Sequence, residues 1–308
     1  MPANRNTMKK LTRLSIHPAL LLASLLLLGG CETVIDANLD EGPAQLSVDG
    51  FITDQPGPQT IRLTQTTSYF NNGTPPAATS ATVTLTDNVG NTFSFTDSDN
   101  DGYYVWQPPT PSATLGQIGR TYQLSIRYQN DEYRATSTIN RVPVVDSIIF
   151  REEKLNPLSD ETGYQAEFFA RDLPGQTDYY RVRYFRNGEL QNRPGNIITL
   201  ENASFQGSAD TDGLVFIRPF RQSINPENFY DMGDSVTVEI QSITPDAFSF
   251  FQSVSGQITN GGLFATPATN VPTNVVNTTP NGRPATGYFI TSAVRSKTVR
   301  VGSETIRE

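Results

Sequence analysis

From Ala44 onward the chain keeps one periodicity, and that periodicity leaves little choice of fold. β-Branched and aromatic residues alternate with polar ones, and Gly, Pro, Asn and Asp interrupt them. Successive side chains on a strand point to opposite faces, so such alternation marks half-buried strands and the interruptions mark turns. Residues 45–53 alternate and are turned by Gln55-Pro-Gly-Pro58. Segments 60–65, 81–86, 92–96, 103–106, 121–128 and 132–138 follow, the last two joined by the hairpin signal Gln129-Asn-Asp131. About seven short strands over about a hundred residues predict an immunoglobulin-like sandwich. Trp106, the one tryptophan, is read as a packing residue of its core or rim.

Residues 143–147 read as a junction, because Pro143 disfavours continued pairing and a new apolar run starts at Ser147. Strands are expected at 165–171, 178–186, 197–200, 213–220 and 235–241, with closing strands at 287–293 and 298–301. Along 178–186, Tyr180, Val182 and Tyr184 share one face and Arg181, Arg183 and Phe185 the other. The aromatic face is expected in the core. The arginine face is expected in solvent, free to meet an acidic partner. One segment differs: Thr244-Pro245 opens a stretch with apolar residues at 247, 250, 251 and 254, the spacing of a short amphipathic helix over 245–257. Residues 265–286, rich in Thr, Asn and Pro, read as an ordered loop or a flexible segment that, with this helix, is the candidate cover for one end of the second sheet; the sequence alone does not place Tyr179, Arg181 and Arg183 relative to it. The fold expected is thus all-β: a sandwich over 44–142, then a second antiparallel β domain over 143–308 with one short helix.

The first residues differ in kind. Arg5, Lys9, Lys10 and Arg13 precede an apolar run of ten residues, 19–28, and then Leu28-Gly29-Gly30-Cys31. A basic start, a short apolar middle and small residues before a cut are the marks of a secretory signal peptide over 1–30, and the run is too short for a ~20-residue bilayer span. The cut would precede the single cysteine, an arrangement that resembles the lipobox of bacterial lipoproteins, whose cysteine carries diacylglycerol and an acylated amino end. Lipid on Cys31 would hold the chain to a membrane permanently, since each buried CH₂ contributes ~0.8 kcal/mol. Residues 31–43 then read as an acidic tether.

Removing 1–30 takes away His17, the only histidine, and four cations, leaving 19 Lys+Arg against 31 Asp+Glu, a net charge of −12. An acidic surface repels phosphate backbones, so nucleic acid is not expected as a partner. Without histidine or a free thiol the chain lacks Ser-His-Asp and Cys-His units and the usual zinc ligands. No Walker loop or GxGxxG turn is present. No enzyme is expected, although a carboxylate-based hydrolase is chemically open.

Asp97-Ser-Asp-Asn-Asp-Gly102 has the D-x-D-x-D-G form of half a calcium loop, with Asp97, Asp99 and Asp101 as ligands. Pro108 stands where the bidentate Glu belongs, so the plainer reading is an acidic turn, calcium would bind weakly, and no cofactor is otherwise expected. Asp146-Ser147-Ile148 and Asp234-Ser235-Val236 resemble the Asp-Ser-apolar O-glycosylation signal of Bacteroidota, which would place sugars on Ser147 and Ser235.

The order of these signatures resembles a family. After the lipobox come Leu46-Ser-Val-Asp-Gly-Phe-Ile-Thr-Asp-Gln-Pro-Gly-Pro58, Ala81-Thr-Val-Thr-Leu85, Gly102-Tyr-Tyr104 and Gly119-Arg-Thr-Tyr-Gln-Leu124. Val142-Pro143 with Asp146-Ser-Ile148, then Asp172-Leu-Pro-Gly175 before Tyr179-Tyr-Arg181, and Gly287-Tyr-Phe289 complete the series. The chain resembles the surface lipoproteins of Bacteroidota labelled domain of unknown function 4249, and its first half is similar to transthyretin-like and carboxypeptidase-regulatory-like β domains. The resemblance carries no catalytic residues. It implies an outer-membrane lipoprotein, surface-exposed in preference to periplasm-facing, serving a TonB-dependent transporter as an accessory or ligand-binding component. A structural or adhesive surface lipoprotein is the alternative.

Overall fold

The computed structural model describes residues 42–307 except 69–70, 72, 155–157, 159, 205–210 and 261–268. Cys31, the expected leader over 1–30 and the expected tether as far as Glu41 lie outside the described residues. Strands β1 (Leu46–Thr53), β2 (Gln59–Gln65), β3 (Thr82–Asp87), β4 (Thr92–Phe95), β5 (Tyr103–Trp106), β6 (Thr121–Tyr128) and β7 (Asp131–Thr138) form where the alternation places them. The β6–β7 turn sets Gln129 at a φ of 55°.

These strands enter two sheets together with two strands from far along the chain, β14 (Val276–Asn277) and β15 (Ala285–Ser292). The sheet orders are β15-β1-β2-β5 and β14-β7-β6-β3-β4. Val48, Ile52, Ile61 and Leu63 from one sheet and Val83, Leu85, Leu124 and Ile126 from the other belong to one buried cluster. Each such side chain contributes about 1.5–3 kcal/mol on burial. Trp106 packs partly buried against this cluster, edge-on to Phe93 at 5.9 Å.

The second half supplies β8 (Val145–Lys154), β9 (Thr162–Ala170), β10 (Tyr179–Arg186), β11 (Glu189–Leu190), β12 (Ile198–Glu201), β13 (Ser235–Ile243) and β16 (Val294–Arg300). β8 and β9 form a two-stranded sheet; β11-β10-β13-β16, with β12 beside β10, form the other. Phe150, Phe168, Tyr180, Val182 and Val238 are buried in the same continuous cluster as the first half. The chain is all-β with short helices, as the alternation requires.

Three expectations meet a different structure. The stretch 213–220 is not a strand: only Val215 bridges, to Arg171, and Arg218–Arg221 turns into a short helix, α1. Pro219 cannot donate to a ladder but suits a first helical turn. The boundary at 143 is crossed by β14 and β15, which return to the first two sheets, and Pro43–Glu308 forms one compact unit. β15 runs parallel to β1, from Leu46↔Ala285 to Thr53↔Ser292. Parallel pairing needs a long crossover, so no local signal announces it. Gly287 permits it: its φ is +83°, and a Cβ there would lie 2.0 Å from the Val48 carbonyl oxygen. Finally, the described part of 265–286 only begins beside the helix, where Thr269 and Gln257 exchange hydrogen bonds at 2.8 and 3.2 Å; farther on it lies on β7, through β14 and a bond from the Thr278 amide to the Glu132 carbonyl at 2.7 Å.

One residue, Ala293, separates β15 in the first region from β16 in the second. It exchanges bonds with Ser242, donating to the hydroxyl at 2.9 Å and accepting from the amide at 3.0 Å. Asp54 clamps the same corner, accepting from the Val294 amide at 2.9 Å and from Arg295 at 2.7 Å. Among the described residues no helix is long and apolar enough to cross a membrane.

Candidate functional site: a helix-covered arginine face

Strand β10 divides its side chains as the alternation predicts: Tyr180, Val182 and Tyr184 are buried, and Arg181 and Arg183 lie on the opposite face. Across the ladder Arg181 faces Gln241 and Arg183 faces Glu239 of β13. The arginine face is not simply in solvent. Helix α2 (Pro245–Thr259) lies on it. The Thr244 hydroxyl caps the helix by accepting from the Ala247 amide at 3.3 Å, and Pro245 occupies its first turn, where no donor is needed. Phe248 stacks on Tyr179 with ring centroids 5.2 Å apart, and the Arg181 guanidinium sits 4.4 Å from the Phe251 ring centroid. Gln252 donates to Thr199 of β12 at 2.8 Å, and the Tyr288 hydroxyl donates to Asp246 at 2.8 Å. The sequence anticipates the helix and the division of β10 into two faces; that the helix covers Tyr179 and Arg181 becomes visible only in the structure.

The electrostatics of this face are lopsided. Burial pushes the Arg181 guanidinium down to about 10, and neighbouring Arg183 pushes in the same direction. Glu239 is 3.6 Å from Arg183 and also accepts from the Gln241 amide. Even so, the Nε atoms of Arg181 and Arg183 and the Oε1 of Gln241 are buried without a hydrogen-bond partner among the described residues. Burying a guanidinium donor without an acceptor costs about 1–3 kcal/mol or more. With one carboxylate, Glu239, set against two adjacent guanidiniums, and Phe251 beside Arg181, the face favours an arriving carboxylate or other anion.

A second cluster of cations is closed by contrast. A groove of about 590 Å³ is lined by Arg151, Arg218, Arg221, Glu153, Glu167 and Phe169. Buried Glu167 lies 3.4 Å from Arg151 and 3.2 Å from Arg221, while Arg218 pairs with Glu153 at 2.9 Å. Arg221 also stacks over Phe169 at 4.5 Å. Each of these arginines has a carboxylate, although the Arg221 Nε lacks a partner among the described residues, and the network braces β8 and β9 against α1.

The other sequence candidates are scattered. Asp97, Asp99 and Asp101 lie in the turn between β4 and β5, where Asp97 accepts from the Asp101 and Gly102 amides, both at 3.1 Å, and Asp101 accepts from the Tyr103 amide at 2.9 Å. Among the described residues no group of three or more His, Cys, Asp or Glu side chains is arranged to hold a metal ion. Ser147 sits half-buried at an irregularity of β8, and Ser235 half-buried at the start of β13.

Comparison with known proteins decides the lineage. The family model described as domain of unknown function (DUF4249) matches residues 32–298. The chain belongs to this family. No curated protein matches it. Among solved structures it is similar to a two-domain fibronectin type-III segment of chicken tenascin, at 15% identity over 64% of this chain and 88% of that one, with a TM-score of 0.19. A score of that size carries no argument; the sandwich architecture rests on the strand pairing described above.

Proposed function

We propose that this family member is a lipid-anchored, non-catalytic accessory protein of a Bacteroidota outer membrane. In this reading Cys31 carries the lipid, and residues 32–43 tether the β body within about 40 Å of the membrane. The arginine face under α2 engages an acidic ligand or an acidic surface of a TonB-dependent transporter. The observation that supports this most is the pair Arg181 and Arg183, held half-buried with unused donors. One carboxylate, Glu239, answers two guanidiniums, which leaves positive charge on this face for an acidic partner.

Affinity purification from detergent-solubilised outer membranes tests the reading. A TonB-dependent transporter should be retained by the natural protein and lost with Arg183→Glu, which reverses a charge on the proposed contact. Recovery of the protein without a transporter, or equal retention by the variant, would refute the role.

A further inference from the structure

The face of β10 opposite the arginines carries an independent feature. Tyr184 is 1% exposed, and its hydroxyl has no hydrogen-bond partner among the described residues. A buried hydroxyl without a partner is costly, and native structures rarely leave one unexplained. This one lines a cavity of about 270 Å³, together with Gln191, Arg193, Asn196, Asn225 and Glu227. Arg193 and Asn196 line the same cavity; burial raises the phenol pKa, and the Arg193 charge and the Asn196 side chain oppose that rise, although the Asn196 contact falls short of a well-formed hydrogen bond.

The lining has a definite chemistry. Asn225 is a fixed wall: its carbonyl oxygen accepts from the Ala166 amide at 2.7 Å, and its amide donates to the Ala166 and Gln222 carbonyls at 3.0 and 2.8 Å. Gln191 donates to the Glu189 carbonyl at 3.2 Å, which leaves its own oxygen for a ligand. A 3-10 turn over Pro194–Asn196 carries Asn196 to the site. At the exposed rim Arg193 and Glu227 are 2.5 Å apart and cancel each other's charge. The available groups are thus a hydroxyl and two amides, which between them both donate and accept, around a neutral mouth. An ionic ligand would find no uncompensated charge here. An apolar one would leave the Tyr184 hydroxyl unsatisfied. The space far exceeds one water molecule and falls just below the roughly 300 Å³ at which ligand pockets begin, so it suits one ring.

We infer that the Tyr184 cavity binds one neutral sugar ring, whose hydroxyls donate to and accept from Tyr184, Gln191 and Asn196. The ring is free or the end of a glycan, and paired probes tell these apart. Calorimetric titration of the purified mature protein with glucose, galactose, mannose and N-acetylglucosamine, each free and as its methyl glycoside, should give saturable binding by at least one. Binding by the free sugar alone assigns a free ligand; binding by the glycoside as well assigns a chain end. Tyr184→Phe and Asn196→Ala should each weaken that binding about fivefold or more. Tyr184→Phe should leave the thermal midpoint unchanged, since the hydroxyl it removes holds nothing in place. Failure of every probe to saturate in the millimolar range, or binding that survives both substitutions, would overturn the site.

Discussion

The region built from β1–β7, β14 and β15 and the region built from β8–β13 and β16 share one buried cluster but handle polar groups differently. In the first, buried polar atoms are consumed internally. The Tyr104 hydroxyl donates to the Ala78 carbonyl at 2.9 Å and accepts from the Ala81 amide at 2.8 Å. The Tyr122 hydroxyl likewise accepts from the Gln117 amide and donates to the Leu115 carbonyl. Among the described residues seven buried side-chain polar atoms lack a partner; only that of Arg62 lies in the first region, and the other six lie in the second. Proteins break local consistency mainly at functional sites. The contrast teaches that the first region satisfies its buried polar groups internally, as a scaffold does, and that the second leaves several unanswered, which is where the proposed function places recognition.

The largest expected effect tests whether the two regions are one structure. Gly287→Ala forces a side chain onto the Val48 carbonyl at a left-handed φ. Strain and overpacking together should remove about 3 kcal/mol or more, read from urea unfolding. An unchanged midpoint would mean that the β1–β15 join contributes nothing and that the regions stand independently. Next in size is Asp87→Ala in the scaffold. Asp87 is buried, pairs with Arg120 at 2.5 Å and accepts from the Val89 and Asn91 amides. Its loss should cost about 2–3 kcal/mol, and a change below about 0.5 kcal/mol would remove the claim that the scaffold depends on its internal polar bonds.

Two matched tyrosines sharpen the comparison. Tyr104→Phe should destabilise by about 1–2 kcal/mol, because it leaves the Ala81 amide without its acceptor. Tyr184→Phe should change stability by no more than about 0.5 kcal/mol, because its hydroxyl satisfies nothing. Equal losses would erase the distinction between the regions.

The smallest effect is the response to acid. Burial pushes Asp87 up, but bonds from Asn91, Val89 and Arg120 outweigh it, so its pKa is lowered overall. Asp131 is lowered chiefly by the Asn277 amide, and Asp234 is lowered because the Asp231 amide, Asn187 and Arg186 outweigh its burial. Groups lowered in the fold contribute stability that is present above their unfolded value and lost as pH falls through the folded one. Asp172 runs the other way: burial raises it, so its stabilising contribution belongs to low pH and fades as pH rises through the folded value. Stability should therefore fall gradually below about pH 4, and Asp172→Asn should remove a contribution that is gained above that range, as pH falls through the raised Asp172 value toward about 4. A rise in stability on acidification below about pH 4 would contradict the assignment of the lowered carboxylates.

Much of this was legible in the sequence because it is local. Period-two alternation places β1 to β7 within a residue or two, and Thr244-Pro245 with apolar positions 247, 250, 251 and 254 places α2. The same alternation sorts Tyr180 and Tyr184 from Arg181 and Arg183. What was not legible is non-local or lies at the tip of a side chain. Nothing near 285–292 states that it pairs with 46–53, and nothing near Asn277 states that it reaches β7. Pro219, inside an otherwise strand-like run, was the available sign that 213–220 would leave the sheet. Alternation correctly buries the Tyr184 ring but says nothing of its hydroxyl. The amide-rich stretch Gln191-Asn-Arg-Pro-Gly-Asn196 was the only hint that a polar cavity adjoins it.

The central claim is that the arginine face of β10 carries its half-buried cations for recognition rather than stability. Equilibrium urea unfolding of Arg181→Met tests it most directly. Methionine keeps the apolar stem against Phe251 and removes the desolvated charge, and replacing a poorly compensated buried charge by an apolar group of similar size is commonly neutral or stabilising. The account predicts an unfolding midpoint equal to or above that of the natural protein. A loss as large as that expected for Tyr104→Phe would show Arg181 to be part of the scaffold and contradict the account.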